Sequence, residues 1–227
     1  MGILWSFFEP LLSTIVLTIV FGTLLGRGDE KFPLYVLCGK MLYSFYSSST
    51  KSASKSIRAN ASMITKVYVP KYLYPLSSIL YNYVITSISL LVLIPLCIYC
   101  KQPPSLHMLY AFIPFILLFM LTYGSGMILA TICVFFRDME YIWDVLMMLL
   151  MYCSAVMYTP DRIIKSGYAW ILKYNPLFCI IMNFRYAMMG EPLSLDYFLT
   201  ALAYGVGLSL LGTYIFYKKQ DEFILVI

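Results

Sequence analysis

Side chains that carry out acid–base or nucleophilic catalysis are scarce in this sequence. The 227 residues include a single histidine, His107, which lies beside a proline-containing turn. No HExxH, GxSxG or GxxxxGKS/T motif occurs, so the chain lacks the signatures of zinc proteases, serine hydrolases and P-loop ATPases. Cys97 and Cys100 form a CxxC motif without a second pair or a histidine at zinc-binding spacing, and we interpret them as packing residues. We expect no catalytic residue, no metal site and no cofactor bound by this chain.

One group of acidic residues supports a different hypothesis. Asp138, Glu140 and Asp144 follow the fourth apolar segment closely. Acids clustered at one membrane face would suit an integral membrane transferase that acts on lipid-linked sugars, and this enzyme hypothesis stays open at the level of the sequence. Arg137 and Asp138 are explained equally well by a salt-bridged corner and by contact with a partner protein.

Two charged residues, Glu9 and Lys40, interrupt long apolar segments, where ionisable side chains are costly and usually functional. Pro10 follows Glu9 and is expected to kink its helix. At the helical rise, Glu9 would lie about 9 Å and Lys40 about 18 Å from the same membrane surface, so we do not expect a direct pair. Glu9 would cap freed backbone donors or face a cavity, and Lys40 would face a polar channel or extend towards the membrane surface.

Membrane helices must position these residues. The chain is 61% hydrophobic and only 12% charged, with a mean hydropathy of +0.81, whereas soluble domains have about 25% charged residues. The apolar blocks reach the roughly 20 residues that cross a bilayer. We predict an all-α integral membrane protein, a single domain over residues 1–227, with six spans at Ile3–Leu25, Phe32–Ser47, Leu76–Tyr99, Met108–Phe136, Tyr141–Tyr158 and Tyr197–Tyr217.

The loop between the second and third predicted spans sets the orientation. It carries five basic residues and no acid, namely Lys51, Lys55, Arg58, Lys66 and Lys71. The positive-inside rule therefore places this loop in the cytoplasm, and an even number of spans places both termini there. No basic patch with interleaved aromatic residues indicates a nucleic-acid partner.

The same loop contains a segment, Asn60–Ser77, that alternates apolar residues with cations and is interrupted by Pro70 and Pro75. A simple connection between two spans would need only a few small polar residues. This pattern instead predicts a segment that lies on a surface and contacts another protein. The preceding Ser-rich run, Ser47–Ser56, is interpreted as helix packing rather than as a flexible linker.

A second segment, Thr159–Asp196, is too apolar for a solvated loop. Thr159-Pro160-Asp161 is typical of a helix start, and Asn175-Pro176 would break that helix. A second short helix over Pro176–Met189 would end at Gly190. We predict a helix–break–helix that enters the outer leaflet and acts as an outer gate.

Several side chains of this region and of the spans are candidates for the gate or channel. Arg185 would meet an anionic substrate or pair with Glu191 or Asp196. Aromatic residues make up 17% of the chain; most suit the membrane–water boundary, but aromatic faces inside a polar channel would suit sugar rings. The candidate gate and channel residues are Glu9, Lys40, Tyr152, Tyr158, Trp170, Asn175, Pro176, Phe184 and Arg185.

Four motifs occur in the same order as in the membrane subunits of polysaccharide ABC exporters, and the chain resembles this family over essentially its whole length. These permeases export lipid-linked O-antigen, teichoic acid and related glycans. The motifs are Gly2-Ile3-Leu4-Trp5 with Glu9-Pro10-Leu11, Asn60-Ala61 through Lys66-Val67-Tyr68-Val69-Pro70 to Pro75-Leu76-Ser77, Phe135-Phe136-Arg137-Asp138-Met139, and Asn175-Pro176-Leu177 before Phe184-Arg185.

The resemblance implies a type 2 ABC exporter fold of six spans in the bacterial cytoplasmic membrane. It implies a homodimer that forms the channel and two separate ATPase subunits that bind ATP and Mg, with a lipid-linked glycan as substrate. The segment between the fifth and sixth spans resembles the family's paired outer gate helices. Residues that match or adjoin the family's coupling helix, which contacts the ATPase, are Asn60, Met63, Ile64, Lys66, Val67, Tyr68, Pro70 and Lys71, together with Arg137 and Asp138.

The sequence departs from the family in three places. Family members usually carry an amphipathic helix before the Gly-x-Leu-Trp motif, whereas this sequence starts at Met1-Gly2, so we expect a truncation or the loss of that ATPase contact. Lys71-Tyr72 replaces a common Arg-Glu, and Lys40 replaces an apolar residue. A type 2 exporter of drugs or small lipids is the nearest alternative function.

Overall fold

The computed structural model describes residues 8, 12–13, 15–16, 19, 31–67, 69–103, 105–160 and 169–223. Within these residues all regular secondary structure is helical, as the sequence predicts. The predicted first span, Ile3–Leu25, therefore lies almost entirely outside the described residues. The α-helices described are α1 (Phe32–Ala59), α2 (Ala61–Ile64), α3 (Leu73–Ser89), α4 (Leu93–Tyr99), α5 (Phe112–Phe135), α6 (Met139–Cys153), α7 (Ala169–Lys173), α8 (Pro176–Met189) and α9 (Leu195–Lys219).

Among the described residues, three stretches are long and apolar enough to cross a membrane: Leu73–Tyr99, Leu106–Phe135 and Leu195–Glu222. Helices α3 and α4 form the first of them through the 3-10 turn Leu90–Val92. Each stretch agrees within a few residues with the predicted third, fourth or sixth span, except that the last runs on to Glu222. A long apolar run predicts a membrane helix well, because a helix satisfies its own backbone hydrogen bonds and lipid cannot supply partners for them.

Helix α1 is much longer than the second predicted span. It runs 28 residues, or about 42 Å, so the helix continues twelve residues beyond the predicted end of the span near Ser47. The Ser-rich run is accommodated in this helix because its hydroxyls are satisfied by carbonyls of their own helix, as Ser54 Oγ is by Lys51 O at 2.8 Å and Ser56 Oγ by Ala53 O at 2.7 Å. Ser49, Thr50, Ser54 and Ser56 are all buried, which confirms the interpretation as a packing surface.

Helix α6 is shorter than the fifth predicted span, which was placed at Tyr141–Tyr158. It ends at Cys153, and Ser154 follows as its C-cap. Ala155 then adopts a left-handed backbone conformation with φ of 47°, which cannot continue a right-handed helix. The turn Cys153–Val156, whose last three residues are buried, begins the connection to α7 and α8.

Helix α8 begins and ends where the sequence predicts. Asn175 caps its N-terminus, Pro176 occupies the first turn, and Gly190 ends it with φ of 81°, as is common for a glycine after the last helical residue. Ten of its fourteen residues are buried. The predicted start of the preceding helix falls partly on residues 161–168, which lie outside the described residues.

Helix α5 lies at the centre of the packing. Residues of α1, α5 and α8 contribute most to the main buried cluster. On its opposite side α5 meets α9 at two glycines: a Cβ on Gly212 would lie 2.4 Å from Gly124 O, and one on Gly124 would lie 2.3 Å from the carbonyl carbon of Leu208. The two backbones therefore touch, and Ser209 Oγ donates a hydrogen bond to Met120 O across the contact at 2.9 Å.

Candidate functional site

The segment between α1 and α3 forms the candidate docking surface. Only Ala61–Ile64 is helical, and the chain turns onwards through Thr65, so the helical part of the predicted docking segment is shorter than expected. Met63 and Val67 are 54% and 55% exposed, and Lys66 is exposed between them. Ile64 is buried beneath them and anchors the turn to the helices.

Polar contacts fix both ends of this surface. Asn60 Nδ2 donates to Ser56 O at 2.7 Å, which ties the start of the turn to the last turns of α1. Lys71 Nζ donates to Gln220 O at 2.5 Å, just beyond the end of α9. Pro70 is exposed between these ends. Tyr68, another predicted contact residue, lies outside the described residues.

An ion-pair seam joins the C-terminal part of α1 to α6. Lys51 Nζ lies 2.8 Å from Asp144 Oδ2, Lys55 Nζ lies 3.4 Å from Glu140 Oε2, and Arg58 pairs with the same Glu140 carboxylate. These five residues, Lys51, Lys55, Arg58, Glu140 and Asp144, are called the seam below. Arg58 and Glu140 are mostly buried, whereas Lys51 and Asp144 are about half exposed.

Two neutral hydrogen bonds reinforce the same contact. Trp143 Nε1 donates to Thr50 Oγ1 at 3.0 Å. Tyr43 Oη donates to Met147 O at 2.7 Å, one helical turn further along α6. Sequence analysis missed the seam, although the signal was present: cations spaced three and four residues apart on α1 and two acids four apart on α6 each form one helix face.

The seam changes how the acidic cluster is interpreted. Glu140 pairs with Lys55 and Arg58, and Asp144 pairs with Lys51, so both acids have structural partners on α1. Arg137 and Asp138 are exposed, and neither forms an ion pair among the described residues, so the predicted salt-bridged corner is absent there. Both residues line a cavity of about 510 Å³ whose other walls are apolar: Ile132, Phe135, Phe136, Met139 and Ile142.

Asn175 joins the C-terminal end of α6 to the start of α8. Its Oδ1 accepts hydrogen bonds from Leu177 N at 3.0 Å and Phe178 N at 3.4 Å, which caps α8. Its Nδ2 donates to Ser154 Oγ at 3.0 Å and to Cys153 O at 3.3 Å. The predicted break at Asn175-Pro176 is therefore confirmed and also forms a link between two helices.

Arg185 is 1% exposed and is bonded to backbone carbonyls. Its Nε donates to Tyr35 O at 3.0 Å, Nη1 to Ala155 O at 3.0 Å and Nη2 to Val156 O at 2.8 Å. The guanidinium also stacks on the Tyr35 ring, 3.6 Å from its centroid. The predicted pairing with Glu191 or Asp196 is not formed, although all three residues are described, because the side chain points into the helix packing.

The remaining gate candidates differ in burial. Phe184 is buried in the main cluster. Tyr152 and Trp170 are each 61% exposed. Tyr158 is half-buried, and its hydroxyl donates to Tyr152 O. The structure thus places Phe184 and Arg185 in the packed interior and leaves Tyr152 and Trp170 on the surface of the chain.

Lys40 lies on a polar cavity inside the helix bundle. The cavity has a volume of about 160 Å³ and lies mainly between α1 and α3. Seven of its ten lining residues are polar: Ser13, Lys40, Ser44, Ser48, Asn82, Thr86 and Ser89. Lys40 is half-buried there, and a polar channel or an extension towards the membrane surface both stay predictions for it. Glu9 lies outside the described residues, and its relation to Lys40 stays a prediction.

Long apolar helices of this kind are typical of an integral membrane protein. The chain belongs to the ABC-2 type transporter family, whose sequence pattern matches residues 1–189. This confirms the family resemblance drawn from the four motifs, and the chain is therefore a membrane component of a transporter.

Similar proteins cover nearly the whole chain. The O-antigen export system permease protein RfbA of Klebsiella pneumoniae is 29% identical over 224 residues, which are 98% of this chain and 86% of the relative. The protein of the same name from Myxococcus xanthus is 27% identical over 228 residues, again 98% and 86%. The polysialic acid transport protein KpsM of Escherichia coli is 25% identical over 235 residues, 98% of this chain and 87% of the relative.

Proposed function

We propose that this chain is the channel-forming subunit of an ATP-driven exporter that moves a lipid-linked polysaccharide across the bacterial cytoplasmic membrane. Relatives named for O-antigen export and polysialic acid transport support the substrate class. In this proposal two copies form the channel, and two ATPase subunits bind ATP and Mg beneath them. The six predicted spans cross the membrane, and Thr159–Asp196 forms the outer gate.

The observation that carries the proposal is the continuity from the docking surface to α6. Met63, Lys66 and Val67 present an apolar and cationic surface on a turn whose start is bonded to the last turns of α1. The same part of α1 is ion-paired to α6 by the seam. A partner that pushes this turn would therefore move α1 and α6 together.

The substrate class is tested by depletion of the chain in its native cell. We expect lipid-linked glycan intermediates to accumulate in the cytoplasmic leaflet, detected by mass spectrometry of extracted lipids, while the glycan disappears from the cell surface. Normal surface glycan and no accumulation would contradict the proposal. Accumulation of a small lipid or drug in place of glycan would favour the alternative type 2 exporter.

The ATPase contact is tested by charge reversal on the docking surface. Lys66→Glu should leave the chain in the membrane, because the exposed side chain supports no packing, but should lower ATPase activity in the purified complex by about fivefold or more. The matched control is Lys218→Glu, an equally exposed reversal at the end of α9. Equal ATPase activity in the two variants would remove Lys66 from the contact.

Topology is tested by fusion proteins. A fluorescent protein that matures only in the cytoplasm, fused after residue 227, should be fluorescent, because five cations in one loop place that loop and both termini inside. A periplasmic alkaline phosphatase fused at the same position should be inactive. The reverse pattern would contradict the proposed orientation.

A further inference from the structure

Arg185 is a fully buried cation whose hydrogen bonds to oxygen, among the described residues, all go to backbone carbonyls. Two of these carbonyls belong to Ala155 and Val156, in the turn immediately beyond the C-cap of α6. A buried carbonyl needs a hydrogen-bond partner. An arginine keeps its positive charge in proteins and offers five donors. Arg185 therefore holds the turn that follows α6, a helix to which it does not belong.

The same guanidinium reaches a third element. Its Nε bonds to Tyr35 O in the first turn of α1, and its plane covers the Tyr35 ring. Helices α1, α6 and α8 thus meet at a single side chain. Asn175, at the start of α8, bonds to Cys153 O and Ser154 Oγ in the same turn. Asn175 and Arg185 therefore both fasten the turn after α6 to α8.

Gly39 provides the space for this arrangement. A Cβ built on Gly39 would lie 2.3 Å from Arg185 Nη2, 3.1 Å from its Cζ and 3.0 Å from Val156 O. Since a Cβ cannot approach other atoms so closely, any larger residue at position 39 must displace the guanidinium. Gly39 and Arg185 therefore form one functional pair, although 146 positions separate them in the sequence.

We propose that Arg185 is a positioning residue of the transport cycle: in the space left by Gly39, it fixes the outer end of α6 to α1 and α8. This inference rests on the proposed function. The seam connects the cytoplasmic end of α6 to the docking turn through α1. With its outer end fixed, α6 transmits the movement of the docking turn and α1 to the proposed outer gate, Thr159–Asp196. When the outer end is loose, ATP hydrolysis continues and export fails.

The test uses the complete chain in complex with its ATPase subunit. Gly39→Ala, Arg185→Lys, Arg185→Met and the double variant Gly39→Ala/Arg185→Lys are compared by two measurements: ATPase rate of the purified complex, and surface glycan in cells that depend on the variant. Gly207→Ala is the matched control, because a Cβ at Gly207 meets no atom within 4 Å.

We expect Gly39→Ala and Arg185→Met to lower export by about fivefold or more, while the ATPase rate per complex stays within twofold of that of Gly207→Ala. Arg185→Lys should retain more export than Arg185→Met, because an ammonium still reaches one or two of the carbonyls. The double variant should be no worse than Arg185→Lys alone, since the narrower side chain leaves room for the added methyl; such non-additivity is the signature of two residues that act through one contact.

Three outcomes would overturn the inference. Export that falls only in proportion to the amount of assembled complex would reduce Arg185 to a folding role. Additive losses in the double variant would show that Gly39 acts independently of Arg185. Normal export in Gly39→Ala would contradict the close contact itself. The proposed function fails in a different way, because then the unmodified chain would already show no dependence of surface glycan on its presence.

Discussion

Asn175 performs two tasks with one side chain. Its carbonyl oxygen caps α8, and its amide nitrogen bonds to the turn after α6. Serine is as good an N-cap as asparagine, but its short hydroxyl cannot also donate across to Cys153 O. Substitution at this position can therefore separate the stability of α8 from the link between the two helices.

We expect Asn175→Ala to lower the free energy of unfolding by about 1 to 2 kcal/mol, because the cap and the link are both lost. Asn175→Ser should retain most of the cap and lose less. Thermal unfolding of the purified chain in detergent or nanodiscs provides the measurement. Equal losses in the alanine and serine variants would show that the cap contributes nothing and that the link accounts for the whole effect.

Arg185 marks the limit of sequence reasoning at the residue scale. The Asn-Pro break and the glycine at the end of α8 were predictable, because capping depends on neighbours in the chain. For Arg185 the sequence left open an anionic substrate or a pairing with Glu191 or Asp196. Its partners in the structure are instead the carbonyls of Tyr35, Ala155 and Val156. Side-chain bonds to backbone far away in the sequence leave no pattern of residue types.

At the scale of elements, α1 is the part that sequence analysis underestimated. Hydropathy ended the second span near Ser47 because serine and lysine are polar, but the helix continues to Ala59. It continues because its buried face packs against α5 and α6, and its hydroxyls are satisfied by carbonyls of the same helix. Hydropathy locates the part of a helix that suits lipid, and it does not locate the end of the helix.

The seam yields a prediction about coupling between elements. Exchange of charges in Arg58→Glu/Glu140→Arg should restore at least part of the export that either single substitution removes, because the double variant forms the pair in reverse. Each single substitution places like charges together at a mostly buried site, so the double variant should lower the free energy of unfolding less than either single variant does. Surface glycan is measured together with the ATPase rate of the complex.

The control for the seam is an ion pair that links no two helices. Lys219 Nζ lies 2.7 Å from Glu222 Oε1, three residues along the same end of α9. Glu222→Lys breaks this pair with the same change of charge as a reversal in the seam, and export should stay normal. If Glu222→Lys lowers export as much as Glu140→Arg, the effect arises from charge at this end of the helices and not from the link between α1 and α6.

At the scale of the whole molecule, long apolar runs made the third, fourth and sixth spans predictable to within a few residues, apart from the extension of the last to Glu222. The pairing of these helices was not predictable. Helices in a membrane associate through close packing rather than through hydrophobic burial. A glycine that faces another helix looks, in the sequence, like one that faces lipid. A Cβ on Gly124 or Gly212 would meet the backbone of the facing helix, whereas one on Gly207 would meet no atom within 4 Å.

Gly212 provides the test of this packing. Gly212→Ala would place a methyl group 2.4 Å from Gly124 O, where the obstacle is rigid backbone. Helix α9 must then move away from α5, and the hydrogen bond from Ser209 Oγ to Met120 O is strained with it. We expect a loss of about 1 to 3 kcal/mol, as is typical of overpacking, measured by thermal unfolding in nanodiscs. Gly207→Ala, five residues away on the same helix, should unfold at or above the temperature of the unmodified chain, because alanine favours helix and contacts nothing there. If the two variants unfold at the same temperature, α9 does not lie against α5 at Gly124, and the arrangement of the bundle described here is wrong.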